Sequence, residues 1–168
     1  MQGTHYSDGQ LHIRSIASRL TSAEQLVRDS VMAQIIDRGQ PITAADLQHI
    51  EVLRNLDVEE QLAALLKKRT IVMNPEGCIT FSYPVSALPT NHKVTLADGR
   101  TFYAMCAVDA LGAAFTFSQN IKVDSRCSHC REPVHLETGE NKIVDLQPAG
   151  THVLHVDLNR YDNWSGNC

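Results

Sequence analysis

The sequence predicts an α+β fold. A helical unit of winged-helix-like order spans residues 1–86. A small mixed or antiparallel sheet, with one helix carrying a Cys-x-x-Asp pair, spans residues 87–168. Three observations predict it. From Leu11 to about Lys68 the chain reads as helices, its clearest apolar stripe at helical spacing. Beyond Lys68 the apolar residues come in short runs separated by turn residues, as strands do. Within that second half, the stretch from Tyr103 to Ala113 reads as helix again.

The elements follow in order. Thr21 and Glu24 form a capping-box pattern that opens a helix. Leu26, Val27, Val31, Ile35 and Ile36 give it an apolar stripe, and Gly39 ends it. Thr43 caps a short helix through Leu47 and Ile50. A third helix, Asp57 to Lys68, carries Val58, Leu62, Leu65 and Leu66 on one face. Thr70–Met73 and Ile79–Phe81 flank Asn74-Pro75-Glu76-Gly77 and read as a hairpin. Three helices and a hairpin is winged-helix order. Ala87 to Asn91 is the candidate linker. A second hairpin pairs Val94–Leu96 with Thr101–Phe102 across Asp98-Gly99. Further strands are expected over Asn120–Asp124, Val134–Glu137, Ile143–Leu146 and His152–Leu158.

Hydrophobic residues make up 43% of the 168 positions, enough for a real core, so disorder is not expected beyond the first few residues. The net charge of −4 gives no bulk attraction for nucleic acid. The outward start of the third helix carries Asp57, Glu59, Glu60 and Gln61, which face phosphate poorly. Lys67, Lys68 and Arg69 at its end suit the helix dipole alone. No apolar run reaches membrane-spanning length. MQGTHYSDGQ has no basic region followed by an apolar stretch, so it does not read as a signal peptide. A cytoplasmic protein is expected. In that reducing compartment the five cysteines are thiols, metal ligands or catalytic groups.

Cys106 and Asp109 lie three apart, so on a helix they share a face. Near the start of that helix, free N–H groups and the dipole favour a thiolate. The carboxyl one turn on can hold or deliver a proton. Spacing alone also fits a buried structural Cys beside a solvated Asp. Cys127-Ser128-His129-Cys130 has the spacing of half a zinc site, which His129, His135 or Cys168 could complete. His152 and His155 fall on opposite faces of a strand and do not suggest a shared metal. Cys78, after Gly77 in the first hairpin turn, reads as structural.

The segment RTFYAMCAVDALG resembles the signature of the organomercurial (alkylmercury) lyases, an aromatic-Ala-x-Cys-Ala-x-Asp pattern. NIKVDSRCSHCREPVHL is similar to the strand, Cys turn and Pro-Val strand that follow in that family, and LQPAGTHVLHVDL to its next strand. The resemblance covers roughly Arg100 to Cys168, and the N-terminal helices and hairpin resemble the start of that family. It implies protonolysis of a carbon–mercury bond, with a role in detoxification. Cys106 and Cys168 would be the catalytic, mercury-binding thiolates and Asp109 the proton relay. Cys127 would match a structural cysteine. No cofactor is implied; mercury is substrate and product, and cellular thiols remove it.

A rival reading keeps the fold without the bond cleavage. Cys106, Cys127, Cys130 and Cys168 would then bind or sense a soft metal such as mercury, copper or zinc, and the winged-helix half could couple binding to release of DNA. A third reading is an enzyme of this fold with another substrate. The exposed third helix and hairpin could pair two copies as a homodimer.

Overall fold

In the computed structural model, which describes residues 16–140 and 142–153, the first long element begins at a cap. Thr21 Oγ1 accepts from the Glu24 backbone N–H at 3.2 Å, and Glu24 Oε2 accepts from the Thr21 N–H at 2.6 Å. Each side chain satisfies a donor that the helix start leaves open. Helix α1 then runs from Ser22 to Arg38, and Gly39 closes it at φ 64°, a left-handed conformation that glycine adopts without steric cost. Val27, Val31 and Ile35 are buried, whereas Leu26 sits on the shoulder of the stripe and stays 38% exposed.

A second capping box starts α2. Asp46 Oδ2 accepts from the Thr43 N–H at 2.7 Å and from Thr43 Oγ1 at 2.8 Å. α2 covers only Ala44–Leu47 before a 3-10 turn at Glu51–Leu53, so Ile50, expected inside the helix, lies beyond it. Helix α3 spans Val58–Lys67, with the Asp57 carboxylate accepting from the Glu60 N–H at 3.0 Å. Val58, Leu62 and Leu65 enter the core, and Leu66 lies at its margin.

Among the described residues eight strands follow: β1 (Ile71–Met73), β2 (Ile79–Ser82), β3 (Val85–Ser86), β4 (His92–Leu96), β5 (Thr101–Ala104), β6 (Ile121–Arg126), β7 (Pro133–Gly139) and β8 (Lys142–Gln147). They form one antiparallel sheet in the order β1-β2-β3-β5-β4-β6-β7-β8. Both expected hairpins are present, with Val72 opposite Phe81 and Val94 opposite Phe102. β3 has no counterpart in the periodicity, because two residues cannot display an alternation. It pairs Phe81 with Ser86 on one side and Ser86 with Tyr103 on the other. The sheet is thereby continuous across residues 86 and 87.

The remaining helix, α4, spans Ala107–Thr116. The expected start at Tyr103 is corrected: Tyr103 lies in β5, opposite Lys93. Thr-Phe-Tyr suits a pleated surface better than a helix, and pairing on both sides holds it extended. Ala110, Ala113 and Ala114 are buried where α4 packs on β4, β5 and β6. Their small side chains let the helix approach the sheet closely. The strand expected over His152–Leu158 lies outside the described residues from position 154 onward. His155 is outside them too, and no strand is assigned to 151–153. Among the described residues, no helix is long and apolar enough to cross a membrane.

Candidate functional site

Strand β5 ends at Ala104, and the chain turns through Met105 and Cys106 into α4. Cys106 is the N-cap residue of that helix, in extended conformation at φ −144° and ψ 176°. It therefore precedes the helix rather than lying in its first turn, and its sulfur stands at the positive end of the dipole. The cap residue and the third helical residue are close neighbours in space. The Cys106 thiol donates to Asp109 Oδ2 at 3.3 Å. Asp109 is only 5% exposed, and Cys106 is half-buried. A carboxyl shielded from water and in contact with a thiol can take the thiol's proton and hold it near the sulfur.

The end of the sheet around this turn is tied by polar contacts. Thr90 Oγ1 donates to the Ala104 carbonyl and accepts from the His92 N–H at 3.1 Å. His92 lies opposite Ala104, and its Nδ1 is hydrogen-bonded with Ser125 Oγ on β6. Ser125 Oγ also contacts the Asn91 carbonyl at 3.2 Å. Burial pushes the His92 pKa below its ordinary value of 6.5, so the imidazole is neutral at pH 7. Ala104, His92 and Ser125 thus form a row across three strands, two residues before Cys106 on one and two before Cys127 on another.

Two further residues shape α4. Tyr83 lays its hydroxyl against Gly112: a Cβ built there would lie 2.0 Å from the oxygen. Gly112 is one turn beyond Asp109 on the same face. The buried Arg28 guanidinium donates to the Tyr83 carbonyl, anchoring that segment to α1. His92, Ser125, Tyr83 and Gly112 have no motif signature in sequence. The one available hint is Gly112 inside a helical segment, where glycine is unfavourable unless packing requires it.

Cys127 and Cys130 bracket a tight turn between β6 and β7. The Cys127 N–H donates to the Glu132 carbonyl at 2.9 Å, and the Arg131 N–H donates to the Cys127 carbonyl at 3.0 Å. The backbone N–H groups of Cys130 and His129, and then the Cys130 thiol, hold the Cys127 pKa below its ordinary value. His135, considered as a further ligand, instead pairs with Asp124 Oδ1 at 2.6 Å. Among the described residues, no group of three or more His, Cys, Asp or Glu side chains is arranged to hold a metal. The Cys78 backbone N–H donates to Asn74 Oδ1 at 2.8 Å inside the hairpin turn.

The structure therefore brings Cys106 and Asp109 together and keeps Cys127 and Cys130 as a separate pair. Cys168 lies outside the described residues. A cavity of about 370 Å³ is lined by Asp37, Arg38, Lys93 and Tyr103 among others, and a second of about 220 Å³ by Leu111, Phe115 and Ile143 among others. Neither is lined by Cys106 or Asp109.

Residues 85–167 match the family model described as alkylmercury lyase. The alkylmercury lyases of Bacillus cereus and Clostridium butyricum are each 25% identical to the chain over 118 residues, which is 70% of this chain and 52% of each relative. That of Staphylococcus epidermidis is 23% identical over a stretch of the same length. The chain spans about half the length of these relatives. The crystal structure of the mercury-bound form of MerB2 superimposes with a TM-score of 0.61 at 23% identity, covering 79% of this chain and 63% of that one. That likeness is one of fold.

Proposed function

We propose that this chain, a divergent member of the alkylmercury lyase family, cleaves carbon–mercury bonds by protonolysis with Cys106, Asp109 and Cys168. The observation that carries this reading is the contact at 3.3 Å between the Cys106 sulfur and the shielded Asp109 carboxylate. A soft cation such as mercury prefers thiolate. When the Cys106 sulfur bonds to the mercury of an organomercurial, its proton passes to Asp109 and the displaced anion leaves. Cys168 gives its proton to solvent, and its thiolate adds a second sulfur that places more electron density on mercury. Asp109 then delivers its proton to the carbon as the carbon–mercury pair is released. The products are a hydrocarbon, a mercury dithiolate on the protein and a carboxylate ready for another proton. Two external thiols protonate the two protein sulfurs and carry the metal away.

The N-terminal half has the order of a winged helix, α1 to α3 and then the β1/β2 hairpin, and we assign it a scaffolding role. Asp57, Glu59 and Glu60 are exposed at the start of α3, where a DNA-reading helix would meet phosphate. The test is headspace detection of hydrocarbon when the reduced protein meets an alkyl- or arylmercury salt with excess small thiol. Multiple turnovers, lost in Cys106→Ala, are expected. Tight thiol-dependent mercury binding without hydrocarbon would overturn the lyase reading in favour of a binding protein.

A further inference from the structure

The turn at Cys127–Cys130 lies outside the chemistry proposed above, yet its geometry is specific. The chain leaves β6 at Arg126, folds through the six residues 127–132 and returns along β7 from Pro133. Two backbone bonds close the loop, from the Cys127 N–H to Glu132 and from the Arg131 N–H to Cys127. Arg131 holds φ 65°, the left-handed conformation that reverses the chain just after the second cysteine. A side-chain-bearing residue enters that region at a cost of roughly 1–2 kcal/mol, so the closed loop imposes it. The result sets Cys127 and Cys130 on one closed turn of the chain. Cys127 is half-buried and Cys130 is exposed, so the pair is open to solvent on one side.

Two cysteines three residues apart on one closed turn have the spacing at which both thiols can reach a single ion. The strand register locates it. Ala104 and Ser125 flank His92 in one row, so Cys106 and Cys127 leave the same end of the sheet on strands separated by β4. Two strand spacings put the backbones of Ala104 and Ser125 about 10 Å apart. The pair is thus a neighbour of the Cys106 turn and not a part of it.

We propose that Cys127 and Cys130 form a second, independent site for a thiophilic d10 divalent cation, bound as a dithiolate with its remaining positions filled by solvent or small thiols. Two thiols each lose a proton and two metal–sulfur bonds form; no oxidant or reductant is involved. Thiolate softness selects this class of cation over magnesium or calcium, which take oxygen donors. None of the residues assigned to carbon–mercury cleavage takes part, so failure of this site would leave that reading untouched, and the reverse also holds.

The experiment uses the reduced full-length chain and cadmium ion alone as the probe. Sulfur-to-cadmium charge-transfer absorption is followed during titration, and alkylation of each cysteine is mapped with and without the ion. In Cys106→Ser, where the other thiol pair is broken, one equivalent of cadmium should still bind. In Cys130→Ser, affinity at this site should fall about 100-fold or more, because the second sulfur no longer acts at high effective concentration. In wild type, cadmium should slow alkylation of Cys127 and Cys130 together. The proposal is overturned if Cys130→Ser keeps the site at unchanged affinity. Unchanged alkylation rates at both cysteines in wild type overturn it too, and this arm needs no variant.

Discussion

Tyr83 and Gly112 are in such close approach that the glycine is the space the tyrosine hydroxyl occupies: an added Cβ would lie 2.0 Å from the oxygen and 2.9 Å from the ring carbon bearing it. Helix propensity alone favours alanine over glycine in α4 by up to about 1 kcal/mol. The contact reverses the sign. Gly112→Ala should destabilise the protein by roughly 1–3 kcal/mol, the usual range for overpacking. Chemical denaturation would measure it. A variant as stable as wild type would mean that the ring moves aside freely.

Asp109→Asn keeps the shape of a shielded side chain and removes its capacity to hold a proton. Turnover is expected to drop 100- to 10,000-fold, the typical range for general acid–base catalysis, with mercury binding nearly unchanged. Single-turnover hydrocarbon release and a competitive thiol titration for mercury separate the two. Equal loss of both would remove the proton-carrying role from Asp109.

Glu24 serves α1 twice, closing the capping box with Thr21 and accepting from Lys68 Nζ at 2.6 Å. The Lys68 bond, followed by the Thr21 backbone bond, holds the Glu24 carboxyl below its ordinary value of 4.5. A depressed carboxylate contributes stability that is complete above the unfolded-state pKa and is lost as pH falls through the folded-state value. Glu24→Gln can keep the cap and loses the charge. A decrease of about 1 kcal/mol is expected at neutral pH. The gap from wild type should shrink below pH 4.5. Thermal melts across that range give the answer, and a gap that widens on acidification would refute the assignment.

Arg131 is held at φ 65° by the turn between β6 and β7. Glycine enters that region freely, so Arg131→Gly should be neutral or stabilising by up to about 1 kcal/mol. Cadmium binding by the Cys127–Cys130 pair should persist in this variant. Loss of stability in denaturant titration would show that the arginine side chain, rather than the backbone bend, matters here.

Much of the architecture was legible because its signals are local. Thr21 with Glu24, the cap at Thr43, the helix start at Asp57 and the stop at Gly39 are each contained within a few residues. The β1/β2 and β4/β5 hairpins announce themselves by a turn between two apolar runs. Cys106 and Asp109 stand three residues apart, and that spacing meets in space whether Cys106 is the cap or the first turn. Thr101 and Phe102 read as strand, but the start of α4 was misjudged because Tyr103 and Ala104 can locally serve either element. Pairing with β3 and β4 decided it.

The sequence by itself therefore determined the helices of the first half, the hairpins, and a thiol set beside a carboxyl at a helix start, since each depends on short-range spacing and capping. Tertiary structure alone decided that β3 joins the two halves of one sheet, that Tyr83 occupies the space over Gly112, and that His92 and Ser125 align the Cys106 and Cys127 turns at one sheet end. Ser86 and Tyr103, Tyr83 and Gly112, and His92 and Ser125 are 17, 29 and 33 positions apart. Contacts at such separations arise from packing and strand register, and neither leaves a pattern in the residues on either side.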